Sequence, residues 1–136
     1  AGLGTTVAQR TQEARVLETA REMLASQNFH QWMIPRLNEK VRMEKPPLAY
    51  WITAASFKLF GVNEFAGRLP FALLGWFLIA IVYRFARHLI DAQFAFFSAA
   101  ILLTSWMFFS HFRLAETDAP ATVFLTAAVY WLWRRH

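Results

Sequence analysis

Three long stretches without a charge fill the second half of this chain, and they limit what it can fold into. Residues 69–83 are uncharged and lie between Arg68 and Arg84; residues 92–110 are uncharged for 19 positions; residues 119–133 are uncharged for 15 and run into Arg134-Arg135-His136. A helix that crosses a bilayer takes roughly 20 apolar residues, and arginines at its ends can snorkel to the headgroups. A soluble helical core is the competing reading. Three such runs with so little polar sequence to cover them argue against it. The expected fold is therefore all-α and polytopic, with transmembrane helices at about 66–86, 92–111 and 119–136. The last is either a marginal span or a helix cut by the end of the chain.

Composition agrees. Of 136 residues 57% are hydrophobic, including 14 Phe and 6 Trp, and only 17% are charged, against roughly a quarter in soluble domains. There is no cysteine, which rules out disulfides and thiolate metal sites in this chain. The net charge is +5. Its basic residues are scattered among aromatics in membrane-type sequence, so anionic lipid is a better partner for them than nucleic acid.

The short loops set an orientation. Arg84, Arg87 and His88 follow the first run, and Arg134 and Arg135 follow the third. Both clusters fall on one side if all three runs cross, and the positive-inside rule makes that side cytoplasmic. Residues 1–67 and 111–118 are then extracytoplasmic, together on the outer face. The first of these loops is basic too, but long loops escape the rule.

The polar first half divides into short elements. Residues 1–10 read as a loop with no signal-peptide pattern, and an upstream segment is expected to be missing. Residues 11–26 read as an amphipathic helix with Thr11 as candidate N-cap. Val16, Ala20, Met23 and Leu24 make its apolar stripe, while Arg15, Glu18, Arg21 and Glu22 take the other faces. Residues 35–40 suit a turn or short hairpin. Residues 48–60 are apolar and aromatic but too short to span, so a helix against the membrane interface is expected. Gly61 ends it, and Asn63-Glu64 caps the next helix.

Two stretches carry candidate chemistry. In Arg42-Met43-Glu44-Lys45-Pro46-Pro47-Leu48-Ala49-Tyr50-Trp51, the double proline fixes two φ angles and keeps Lys45 out of the helical region. Glu44 and Lys45 should sit on a rigid approach to a helix start, beside apolar surface. A solvated charge pair at a helix N-terminus is the plainer explanation. In Ser110-His111-Phe112-Arg113-Leu114-Ala115-Glu116-Thr117-Asp118-Ala119-Pro120, ionisable groups crowd a span boundary, where they are costly and tend to be functional. Here the plainer explanation is that Glu116, Thr117 and Asp118 cap the last helix.

These stretches together resemble one family. Glu13-Ala14-Arg15, Ala20-Arg21-Glu22-Met23-Leu24, Pro35-Arg36-Leu37-Asn38, the Glu44–Trp51 motif, residues 57–70 and Arg113-Leu114-Ala115-Glu116-Thr117-Asp118 follow in order and spacing. They resemble the bacterial branch of the protein O-mannosyltransferases, which includes the aminoarabinose transferases that modify lipid A. The resemblance runs from Gln12 through nearly the whole chain. It implies a GT-C glycosyltransferase fold, represented by the first outer loop and the helices after it. It also implies transfer of a sugar from a polyprenyl phosphate to an acceptor hydroxyl, on a lipid or a protein, outside the cytoplasm.

The same resemblance assigns roles. Family members usually open the first loop with an Asp-Glu pair, but here Gln12 replaces the Asp, and Gln cannot act as a base. The base role then falls to Glu13, to Asp118 or to different groups, and the expectation here is Glu13 as general base with Asp118 as its partner. Lys45 resembles the lysine that meets the donor phosphate. Glu44 resembles a residue tied to a divalent metal ion, or to substrate ordering, in some members; no other cofactor is implied. Arg15 and Arg113 are expected as phosphate or headgroup partners, and Tyr50 joins the substrate-binding set. The chain alone is expected to be inactive. The competing classes are a non-catalytic membrane assembly or binding subunit and a transporter fragment. A transporter should show ionisable groups mid-span and broken helices, whereas the runs here read as clean.

Overall fold

The computed structural model describes residues 11–26, 32, 34–37, 40–41 and 45–135. In chain order its elements are α1 (Thr11–Ala25), the two-residue strands β1 (Arg36–Leu37) and β2 (Lys40–Val41), then α2 (Leu48–Phe60), α3 (Glu64–Leu89), α4 (Ala92–Thr104), α5 (Trp106–Phe112) and α6 (Asp118–Arg135). The strands pair antiparallel, Arg36 opposite Val41 and Leu37 opposite Lys40. Everything larger is helical, as the apolar runs require.

The helix α3 is the hub. The helices α2, α4, α5 and α6 all pack on it. Its inward face is the stripe Arg68, Phe71, Gly75, Leu78 and Ile81, spaced at i, i+3, i+7, i+10 and i+13, which a 3.6-residue period puts on one side. Phe71, Leu78 and Ile81 meet Ala49 and Tyr50 of α2, Phe112 of α5, and Ala119 and Val123 of α6 in one core. At Gly75 an added Cβ would meet the Phe112 Cβ at 2.9 Å, so α5 seats only because that side chain is missing.

Local signals explain the helix ends. Asn63 is the N-cap of α3, its side chain accepting from the Ala66 N–H at 2.8 Å. Asp91 does the same for α4, accepting from the Phe94 N–H at 2.7 Å. Gly61 stops α2 at φ 80°, a conformation that glycine adopts without strain. The expected stripe of α1 is also found: Val16, Ala20 and Met23 are buried.

Pro70 lies inside α3. It has no N–H to give the Ala66 carbonyl one turn earlier. The Ser56 hydroxyl of α2 donates to that carbonyl instead, at 2.5 Å. A defect in one helix thus becomes a fixed contact with its neighbour.

Three features differ from expectation. The second run is not one clean span: α4 and α5 meet at a 64° bend at Ser105. The Thr104 hydroxyl bonds back to the Ala100 and Ile101 carbonyls, a habit that bends helices, and the chain restarts from Ser105 in an extended conformation. The bend contains no ionisable residue, unlike the broken helices of ion-coupled transporters. Among the described residues, α3 alone is long and apolar enough to cross a membrane, joined by a second if α4 and α5 count as one. The helix α6 falls short of that test, its 18 residues including Asp118, Arg134 and Arg135. Finally, Arg68 does not snorkel; it is 1% exposed.

Candidate functional site

Lys45 and Asp118 lie 73 positions apart and meet. The Lys45 ammonium donates to Asp118 Oδ1 at 2.9 Å, with 38% and 68% of the two side chains exposed. The sequence positions them. Pro46 and Pro47 stiffen the entry to α2, so Lys45 is held just ahead of that helix. Asp118 is the first residue of α6, where the helix dipole favours a negative charge. The pair stands where two helices begin side by side.

An apolar cleft of about 430 Å³ opens next to this pair. It is lined by Leu48 and Ile52 of α2, Pro70, Leu73, Leu74 and Phe77 of α3, and Pro120 and Phe124 of α6. Leu48 is three residues beyond Lys45, and Pro120 is two beyond Asp118. On α2 and α6 the cleft lining thus begins within a few residues of the ion pair. Such a shape accepts an apolar chain with a charged head at the lysine.

A second cleft of about 260 Å³ lies on the other side of α3, between Ala72, Trp76 and Ile79 and the bent α4–α5 pair. Arg113 lines it, its guanidinium 5.2 Å from the centre of the Phe109 ring, a cation–π distance. At the end of α5, His111 Nε2 is 3.4 Å from Glu116 Oε2 in the loop that follows. That pair was not singled out in the sequence; its spacing over five residues of a turn resembles ordinary local capping.

Glu13 is elsewhere. It is 0% exposed. Arg68 grips both its oxygens, Nε to Oε1 at 2.6 Å and Nη2 to Oε2 at 3.2 Å. The same guanidinium reaches Glu64 Oε2 at 3.6 Å. This cluster joins α1 to α3. Gln12 is exposed on α1, turned about 100° from Glu13 by the helix. Arg15 is also exposed. Tyr50 is 1% exposed and packs in the core, so it faces no open cleft. Glu44, and with it the expected metal contact, lies outside the described residues. Among the described residues no three His, Asp or Glu side chains converge as a metal site.

The family model for dolichyl-phosphate-mannose-protein mannosyltransferases matches residues 44–136. An uncharacterized protein of Aquifex aeolicus (strain VF5) is 37% identical over 122 residues, which are 89% of this chain and 24% of that protein. Undecaprenyl phosphate-alpha-4-amino-4-deoxy-L-arabinose arabinosyl transferase 1 of Proteus mirabilis (strain HI4320) is 33% identical over 125 residues, 87% of this chain and 21% of that protein. The crystal structure of ArnT from Cupriavidus metallidurans bound to undecaprenyl phosphate superimposes with a TM-score of 0.86 at 29% identity, covering 94% of this chain and 23% of that one. The chain thus spans between a fifth and a quarter of the length of these relatives.

Proposed function

The chain belongs to the dolichyl-phosphate-mannose-protein mannosyltransferase family, and from that premise we propose that it is the donor-binding part of a membrane glycosyltransferase. The larger protein would move a sugar from a polyprenyl phosphate to a hydroxyl on a lipid acceptor, at the outer face of a bacterial inner membrane. The observation that carries this reading is the Lys45–Asp118 pair close in sequence to the lining of the apolar cleft on α2, α3 and α6. The likeness to a structure bound to undecaprenyl phosphate supports the same ligand class: a long apolar chain ending in a phosphate.

In this reading the cleft takes the first part of the prenyl chain by apolar burial, roughly 25 cal/mol per Å². The Lys45 ammonium meets the phosphate as a compact point charge. As the sugar leaves, negative charge grows on that phosphate, and a fixed cation lowers the barrier. Phosphate binding draws Lys45 away from Asp118 and frees the carboxylate to receive or orient the acceptor hydroxyl. A base must reach hydrogen-bond distance of the proton it takes, and Asp118 is the open carboxylate beside the lysine. Glu13, enclosed and held by Arg68, is assigned a positioning role here, in place of the base role expected for it. Arg15 and Arg113 are assigned to lipid headgroups. Residues 1–67 form the outer loop and residues 68–136 the membrane helices of this arrangement. Glu44 would be the residue to hold a divalent metal.

The test uses the full-length protein and a polyprenyl-phosphate sugar donor. Lys45→Ala should raise the donor KM about 30-fold, the value of a hydrogen bond to a charged group. Asp118→Asn should lower kcat by about 10² to 10⁴ with the melting temperature unchanged. Glu13→Gln should lower kcat and melting temperature together. Transfer abolished in Glu13→Gln at unchanged stability would return the base role to Glu13. Unchanged donor KM in Lys45→Ala would remove the phosphate contact.

A further inference from the structure

We propose that the groove between α3 and α4, at the end away from Lys45, is a binding site for an anionic phospholipid. Trp76, Ile79, Tyr83, Arg84, Arg87 and His88 line it from α3, and Ala99 faces them from α4. The α3 residues are spaced at i, i+3, i+7, i+8, i+11 and i+12, one continuous face of a helix. Along that face the chemistry changes once, from apolar and aromatic to cationic. The cavity is about 690 Å³. Its form is that of a slot for an acyl chain ending in a seat for a negative head.

Neither Arg84 nor Arg87 pairs with a carboxylate among the described residues. Asp91, the nearest acid in sequence, is occupied capping α4 through the Phe94 N–H. His88 stacks on Tyr130 at 6.0 Å between ring centres, which fixes the ring at the cleft wall. Basic pockets between membrane helices on the cytoplasmic side attract anionic headgroups. A cluster that merely anchored the helix end in water would need no apolar slot beneath it. The small side chain of Ala99 leaves that slot open. This site rests on the membrane orientation above but not on the transfer chemistry.

The experiment uses full-length protein purified in detergent, offered phosphatidylglycerol or phosphatidylcholine, with bound lipid counted by native mass spectrometry. The parent should retain phosphatidylglycerol in preference to phosphatidylcholine. The double variant Arg84→Gln/Arg87→Gln should bind phosphatidylglycerol about 30-fold more weakly, from two membrane-surface charges at about fivefold each. Arg84→Lys/Arg87→Lys should keep most of the affinity. Ala99→Phe, which fills the slot and leaves both charges, should also displace the lipid. Equal retention of the two lipids by the parent would overturn the site; so would a groove in the full-length protein that retains neither, as expected if another of its helices fills it. Loss on removing the arginines but not on Ala99→Phe would show surface adsorption and overturn the groove. Sugar transfer measured in parallel separates the proposals: selective lipid retention without transfer would count against the transferase reading alone.

Discussion

Two residues show how much a single side chain carries here. Arg68 is enclosed with Glu13 and Glu64. A buried ion pair adds little net stability, because desolvation offsets attraction. Removing one partner is another matter, since it leaves an uncompensated charge. Arg68→Ala should cost about 3–5 kcal/mol, read as a large fall in the melting temperature of the full-length protein, and Arg68→Lys should recover only part because it cannot grip both oxygens. Ser56 makes a sharper case. Its hydroxyl replaces the N–H that Pro70 lacks. Ser56→Ala strands a buried carbonyl and should cost about 1–3 kcal/mol. In a Pro70→Ala background the helix supplies its own donor, so the same substitution should cost much less. Equal costs in the two backgrounds would show that the hydroxyl does not stand in for the missing donor.

Among the elements, the bent α4–α5 pair departs most from a simple helix. Within α4 Ala95 is fully buried, and α5 is held by Phe112 against Gly75. Gly75→Ala places a methyl 2.9 Å from the Phe112 Cβ, an atom fixed to the backbone that cannot swing aside. The expected result is a destabilisation of about 1–3 kcal/mol by overpacking and a shift of α5 away from α3. The cleft at Arg113 should widen with it, which would appear as raised labelling of a cysteine placed at Phe108, partly buried at present. Unchanged labelling and melting would mean that α5 adjusts freely and Gly75 is not what seats it.

For the whole molecule, orientation is the testable property. Glu64 and Asp118 begin α3 and α6, and the Arg84, Arg87 and Arg134, Arg135 clusters end them. The Lys45–Asp118 pair ties the start of α6 to the approach to α2. By the positive-inside rule the basic short loops are expected to face the cytoplasm. In a full-length protein otherwise free of cysteine, Asp118→Cys should react with an impermeant reagent on intact cells and Arg87→Cys should not. The reverse pattern would turn the whole assembly over and move the proposed phospholipid site to the other leaflet.

By itself the sequence determined the kind of the elements and most of their bounds, though not the break at Ser105. Uncharged runs must be helical in an apolar setting, because only a helix satisfies its own backbone there. Asn63, Asp91 and Gly61 mark ends through local bonds and φ preferences that need no distant partner. The Lys45 and Asp118 stretches stood out separately, each by charges set against apolar sequence. Only the tertiary structure decided what met what. That Lys45 reaches Asp118, that Glu13 is closed in by Arg68, and that Ser56 repairs the gap at Pro70 all depend on how helices cross. The phase of Arg68 was readable, for it continues the inward stripe of Phe71, Gly75 and Leu78. Its partner was not, because Glu13 lies 55 positions away on a helix whose docking angle no local period specifies. Periodicity states which face turns inward; packing alone states what that face finds there.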